Sequence, residues 1–260
     1  NAISFTGSVE TGARVAMACA TRGAKYQLEM GGKNPLVVLD DANLDIAVNC
    51  ALDGAFYQTG QRCTASSRLV VGSKIHDAFV ERMVEGMKKL KVDHALKDGT
   101  VIGPVVDEAQ MAQDEKYIQI ARDEGGELAW GGERLNRDTK GNYLSPALFI
   151  GTNNNQRINR EEVFGPVASV IKVESYDEAL AVANDTSFGL SSGIVTTSLK
   201  YATDFRKKSA AGMVMVNLPT AGVDYHVPFG GRKGSSYGAR EQGRHAVEFY
   251  TSVKTAYTLA

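Results

Sequence analysis

Apolar residues along this chain alternate between short continuous runs and helical spacing. Ile3 to Phe5 is a short apolar strand, Gly7-Ser8 a turn, and Glu10 to Thr21 a helix with Val15, Ala18 and Cys19 on one side, stopped by Gly23. Lys25 to Leu28 and Leu36 to Leu39 read as strands. Asp45 to Phe56 is a helix, because Leu44, Ala47, Val48, Ala51, Leu52 and Ala55 fall at helical spacing. Leu69 to Val71 is a strand, Ile75, Phe79, Met83 and Met87 mark a further helix, and Leu128 to Trp130, Leu148 to Ile150 and Val167 to Val173 return to strand patterning. Ser175-x-x-Glu178 is a capping box that opens a helix to about Asn184. Ile194 to Thr196 is strand-like, Ser198 to Lys207 helical and Met213 to Val216 strand-like again.

This alternation predicts an α/β fold around a mainly parallel sheet flanked by helices. The last ten residues, with Val253, Ala256 or Tyr257 and Leu259 alternating, are expected to form an exposed strand able to add to a partner sheet. Composition narrows the picture. Of 260 residues, 43% are hydrophobic and 23% charged, which suits a globular chain, and no apolar run approaches the roughly 18 residues of a membrane span. With 29 Lys plus Arg against 30 Asp plus Glu there is no field for a polyanion, so neither nucleic acid nor membrane is an expected partner. Three cysteines, Cys19, Cys50 and Cys63, make neither a disulfide framework nor a zinc-ligand pattern; no metal is expected, and a reducing cytoplasm fits. The chain opens without an initiator Met or a signal-like segment, as a piece of something longer would.

Five segments can carry chemistry. Thr59-Gly60-Gln61-Arg62-Cys63-Thr64-Ala65-Ser66 is a polar loop between a helix and a strand. A cysteine there is exposed enough to react, with the Arg62 charge placed to lower its pKa; the alternative is a small buried hydrophobe, the reading given to Cys19 and Cys50. Leu28-Glu29-Met30-Gly31-Gly32-Lys33 sets an acid at the end of an apolar strand before a glycine pair, which suits a desolvated general base or, alternatively, a surface carboxylate before a turn. Thr6-Gly7-Ser8-Val9-Glu10-Thr11-Gly12 is a strand-turn-helix whose N–H groups could hold a pyrophosphate, although it is not GxGxxG. In Glu161-Glu162-Val163-Phe164-Gly165-Pro166 adjacent acids precede an aromatic and a turn, an arrangement in which the acids are usually solvated and the Phe usually core, and Val227-Pro228-Phe229-Gly230-Gly231-Arg232-Lys233-Gly234 is a flexible basic loop whose alternative reading is a surface turn.

Together, in this order and spacing, the five segments resemble the aldehyde dehydrogenase superfamily over essentially the whole chain, with the cysteine and the acid 63 − 29 = 34 residues apart. The resemblance implies that Cys63 is the nucleophile and Glu29 the base. It also implies that Gly7, Ser8, Gly12, Met30 and Gly31 lie beside an NAD or NADP cofactor, that Glu162 bonds its nicotinamide ribose and that Phe164 packs near the nicotinamide. More narrowly, Val216 to Phe229, Gly234-Ser235-Ser236-Tyr237-Gly238 and the GQRCTASSR run look like the α-ketoglutaric semialdehyde (2,5-dioxovalerate) dehydrogenase branch, in which residues 218 to 226 would line the aldehyde tunnel.

The implied chemistry is oxidation of an aldehyde, here one bearing a carboxylate, to an acid through a cysteine thioester. The implied organisation is a tail of a Rossmann-like cofactor domain in residues 1–32, a catalytic domain in 33–227, and a return segment with an oligomerisation strand in 228–260. About half of a typical subunit would precede Asn1, so this chain alone is expected to be a poor dehydrogenase, and a homodimer or homotetramer is expected of the complete protein. Three other readings stay open: a dehydrogenase for succinic or another semialdehyde, a non-catalytic protein of the same fold, and a thiol esterase or acyltransferase using Cys63 alone.

Overall fold

The computed structural model describes residues 1–260. Its elements in chain order are β1 (Ala2–Thr6), α1 (Val9–Arg22), β2 (Lys25–Glu29), β3 (Asn34–Val38), α2 (Leu44–Phe56), β4 (Ser66–Gly72), α3 (His76–Lys88) and α4 (Glu108–Asp123). There follow β5 (Glu127–Trp130), β6 (Arg134–Leu135), β7 (Tyr143–Leu144), β8 (Ala147–Thr152), α5 (Arg157–Arg160), β9 (Val167–Val173), α6 (Tyr176–Asn184), β10 (Ser191–Val195), α7 (Leu199–Lys208), β11 (Met213–Val216), β12 (Ser236–Tyr237) and α8 (His245–Tyr250). The main sheet has seven strands in the order β11-β10-β3-β4-β9-β8-β5, parallel throughout except for the antiparallel edge pair β5 and β8. This is the expected α/β architecture.

Why the central strands read as unbroken apolar runs is visible in how their residues divide. Leu36, Val38, Leu69 and Val71 point into the core built with α2 and α3, while Val37, Leu39 and Val70 point to the opposite face, against α6 and α7. Side chains alternate at period two, and helices cover both faces, so both sets of positions are mostly apolar and the few polar ones, such as Arg68 and Ser169, are buried with hydrogen-bond partners. A second, smaller sheet holds β1, β2 and β12; β1 and β2 are parallel and β12 runs antiparallel to β2. No helix is long and apolar enough to cross a membrane.

Two departures from the sequence reading stand out. The sixteen-residue α4 has no counterpart in the periodicity. Residues 251–260 form no strand, and Val253, Tyr257 and Leu259 are almost fully exposed, because a strand exists only as part of a ladder and nothing in this chain pairs with them. That expectation is therefore corrected for the single chain.

Candidate active site

Glu29 ends β2 and Gly7 follows β1, joined by a bond in which the Gly7 N–H donates to the Glu29 carbonyl at 3.0 Å. Cys63 precedes β4, and Glu162 and Phe164 precede β9. The region therefore lies where the carboxyl ends of the small sheet meet the amino ends of the large one. Loops gather there because neighbouring parallel strands turn at the same level. A cavity of about 280 Å³ opens at this junction, and Gly7, Ser8, Met30, Cys63, Glu162 and Phe164 all face it.

The glycine pair explains how these parts come so close. A Cβ on Gly31 would stand 2.4 Å from Glu162 Oε2, and one on Gly32 would stand 2.4 Å from the Cys63 carbonyl oxygen. No larger residue fits either place without moving a neighbour. The Gly32 N–H donates to Glu162 Oε1 at 2.7 Å, which fixes the carboxylate and leaves Oε2 without a hydrogen bond inside the chain. Phe164 is held at φ 62°, which turns its half-exposed ring toward the cavity instead of into the core. Gly12 and Gly31 lie beneath this surface; Gly12 lies under the Met30 side chain.

Burial governs the charges. The Glu29 side chain is almost wholly covered, and desolvation pushes its carboxyl up to about 7 against one favourable bond, a 2.6 Å donation from Ser236 Oγ to Oε2. Its Oε1 has no partner. Burial likewise pushes the Cys63 thiol up to about 11, reinforced by the negative charges of Glu29 and Glu162, while the N–H groups of Cys63 and Thr64 act in the other direction. The expectation that Arg62 lowers this thiol is corrected. Arg62 turns back onto α2, where Nη2 donates to the Asp53 carbonyl and lies 3.4 Å from Asp53 Oδ1. Burial also raises the Glu162 carboxyl and drives the Lys33 ammonium, which is 1% exposed and unpartnered, down to about 7.

Among the other sequence candidates, Cys19 and Cys50 are buried on their helices, as packing residues are. Two residues that face the cavity escaped the sequence reading. Gln110 and Gln113 reach it from α4, and both also donate to the Val163 carbonyl, at 2.9 and 2.7 Å, bracing the loop that carries Glu162 and Phe164. Ser236 was noted only as part of a motif, yet it is the one hydrogen-bond partner of the Glu29 side chain. No group of three His, Cys, Asp or Glu side chains has the geometry to hold a metal ion.

Ser8 caps α1, its Oγ accepting from the Thr11 N–H at 3.2 Å, so a fourteen-residue helix with free N–H groups in its first turn begins at a residue that lines the cavity. Anionic groups are favoured at that end, and the unengaged Glu162 Oε2 can accept from a hydroxyl. The residues present thus suit the phosphate, ribose and ring of a nicotinamide nucleotide.

Residues 1–256 match the sequence model of the Aldehyde dehydrogenase family. An alpha-ketoglutaric semialdehyde dehydrogenase of Bacillus subtilis is 43% identical over 259 residues, covering 99% of this chain and 53% of that protein. A betaine aldehyde dehydrogenase of Mesorhizobium japonicum is 40% identical over 257 residues, covering 98% and 52%. Among solved structures, betaine aldehyde dehydrogenase from Staphylococcus aureus in complex with NAD+ superimposes with a TM-score of 0.92 at 34% identity, covering 96% of this chain and 50% of that one. The chain spans about half the length of the relatives it matches.

Proposed function

From the premise that this chain belongs to the aldehyde dehydrogenase family, we propose that it carries the nucleophile, the base and the nicotinamide-facing surface of an NAD(P)-dependent aldehyde dehydrogenase. The observation that carries this reading is the meeting, at one cavity, of Cys63 with Gly7, Ser8, Glu162 and Phe164, with the Glu29 charge acting on the same thiol. In this reading residues 1–32 belong to the cofactor unit, 33–227 to the catalytic unit and 228–260 to a return segment; the pairing of β12 with β2 supports that division.

The chemistry follows from the side chains. Cys63, having given its proton to solvent, adds as the thiolate to the aldehyde carbon, and the resulting thiohemiacetal oxyanion accepts from the Cys63 backbone N–H. A nicotinamide bound at the cavity supplies the hydride acceptor that turns the thiohemiacetal into a thioester. Glu29, once deprotonated, takes a proton from water, whose oxygen attacks the thioester carbon; the C–S bond breaks and a carboxylate leaves. Glu162 and the first turn of α1 would hold the nucleotide, with Phe164 placed to pack beside its ring.

For the substrate we propose α-ketoglutaric semialdehyde, giving 2-oxoglutarate. Support comes from the Val216 to Phe229 run and from three relatives named for that aldehyde at 43%, 39% and 41% identity. Betaine aldehyde is the second reading, because relatives named for it reach 40%. The two substrates carry opposite charge, so a pocket that favours one disfavours the other. The test is kcat/KM of the full-length protein on α-ketoglutaric semialdehyde, succinic semialdehyde and betaine aldehyde. The first should lead by at least about tenfold, equivalent to about 1.4 kcal/mol of discrimination; a lead by betaine aldehyde would overturn the substrate reading.

A further inference from the structure

The loop around Cys63 is not part of a helix or a strand, yet its three successive carbonyls are all engaged. Asn34 Nδ2 donates to the Cys63 carbonyl at 2.8 Å and to the Ala65 carbonyl at 2.9 Å, while Asn34 Oδ1 accepts from the Ser191 N–H at 3.0 Å. The carbonyl between them, that of Thr64, accepts from Thr220 Oγ1 at 2.7 Å and, at a longer 3.4 Å, from Ser191 Oγ. Thr220 and Ser66 are fully buried, and their hydroxyls meet at 2.6 Å. Thr220 does not sit in the core of an element. It is the inward dip of the segment after β11, flanked by exposed Leu218 and exposed Tyr225, and the segment starts from Asn217, whose side chain pairs with both backbone groups of Thr196.

We propose that Thr220 is a positioning residue that ties the segment 217–226 to the nucleophile loop and, together with Asn34 on the neighbouring carbonyls, holds the Thr64 backbone in the one conformation that keeps the N–H groups of Cys63 and Thr64 facing the Cys63 sulfur. A peptide unit is planar, so the Cys63 carbonyl, held by Asn34, sets the Thr64 N–H, and the Thr64 carbonyl, held by Thr220, sets that of Ala65; with the peptides on both sides of Thr64 held, its backbone cannot turn that N–H away from the sulfur. Those of Cys63 and Thr64 favour the thiolate over the thiol, against the opposing charges of Glu29 from β2 and Glu162 from the loop before β9. Arg62 faces Asp53 and takes no part. The anchor therefore joins two things that must agree: where an aldehyde brought in along 217–226 arrives, and where the sulfur points. This role rests on the proposed function for its link to aldehydes but not for its effect on the thiol.

The test uses the full-length protein and reads Cys63 directly, by peptide-resolved mass spectrometry of iodoacetamide alkylation across pH, beside kcat and KM for the best aldehyde. Thr220→Val keeps the shape and removes the closer donor, leaving only the longer Ser191 bond on the Thr64 carbonyl. It should slow alkylation near pH 8 by about three- to tenfold, the effect of one net hydrogen bond, raise the apparent thiol pKa, and lower kcat more than it changes KM. Thr220→Ser should restore all of these, and Ser66→Ala, which leaves the Thr64 bond intact, should stay close to wild type. Should Thr220→Val fail to fold, Thr220→Ala removes the same donor without the extra methyl and carries the same expectation. A folded Thr220→Val or Thr220→Ala with wild-type alkylation and kcat overturns the proposal, as does a Ser66→Ala variant equally impaired. Slowed alkylation in a protein that oxidises no aldehyde would support the anchor and reject the dehydrogenase reading instead.

Discussion

Glu29 is the residue on which burial and chemistry pull hardest. A carboxyl raised from an ordinary value of 4.5 to about 7 is a base only above that pH, so the deacylation step should give kcat an acidic limb near 7 that flattens on the alkaline side. The sign for stability follows from proton counting. Between 4.5 and about 7 the folded state holds a proton that the unfolded state has released, so Glu29 lowers stability progressively as pH rises through that window and fully above it. Glu29→Gln should therefore be more stable than the parent in urea at pH 8, with the gap closing toward pH 5, while kcat falls by about 10²–10⁴. Removing this charge should also lower the Cys63 pKa, since Glu29 is the larger of the two charges that raise it. Faster alkylation of Cys63 with slower turnover in one variant would separate the two roles. Unchanged turnover would exclude Glu29 as the base.

Packing elements carry their own requirement, centred on Arg68 in β4. This guanidinium is fully buried and meets no carboxylate; it donates to the Lys33 carbonyl at 3.1 Å, to Asn154 Oδ1 at 2.8 Å, and to the Val182 and Ala183 carbonyls at 3.0 and 3.1 Å. The last two are at the end of α6, where carbonyls lack helical partners and a cation is favoured. Arg68 thus fastens α6 to the strand that follows Cys63. Arg68→Met would leave several buried acceptors unpaired and should destabilise the fold by about 3 kcal/mol or more, read from denaturant melts; a loss under about 1 kcal/mol would contradict this. The elements also show what the sequence could reveal. Runs such as Leu36 to Leu39 and Val167 to Val173 announced buried parallel strands because both faces are covered. The helix α4 stayed hidden because its inward stripe is Met111, Asp114, Ile118 and Ala121, with a buried carboxyl where the periodicity needs an apolar residue. Missing α4 meant missing Gln110 and Gln113, and the turn of Arg62 toward Asp53 is a tertiary choice that no local pattern encodes.

Across the whole molecule, the cavity draws on segments from the first ten residues, the β2 to β3 passage, the loop before β4, α4 and the loop before β9, so no shorter stretch contains it. The motifs were legible because each is local; their convergence became visible only once the two sheets were in place. Residues 251–260 bury nothing in this chain, although Val253, Tyr257 and Leu259 are apolar. If, as the sequence leads one to expect, 228–260 ends in an oligomerisation strand, deleting 251–260 from the full-length protein should leave Cys63 alkylation unchanged and lower the mass found by sedimentation; an unchanged mass would contradict that expectation. The central claim, that Cys63 is acylated and Glu29 releases the acyl group, is tested most directly by trapping. Full-length Glu29→Gln would be mixed with α-ketoglutaric semialdehyde and NAD+ and quenched for peptide mass spectrometry. The account predicts one acyl group per subunit on the peptide containing Cys63, with a matching single burst of NADH. An acyl group on Cys19 or Cys50, or a full burst with Cys63 unmodified, would contradict it.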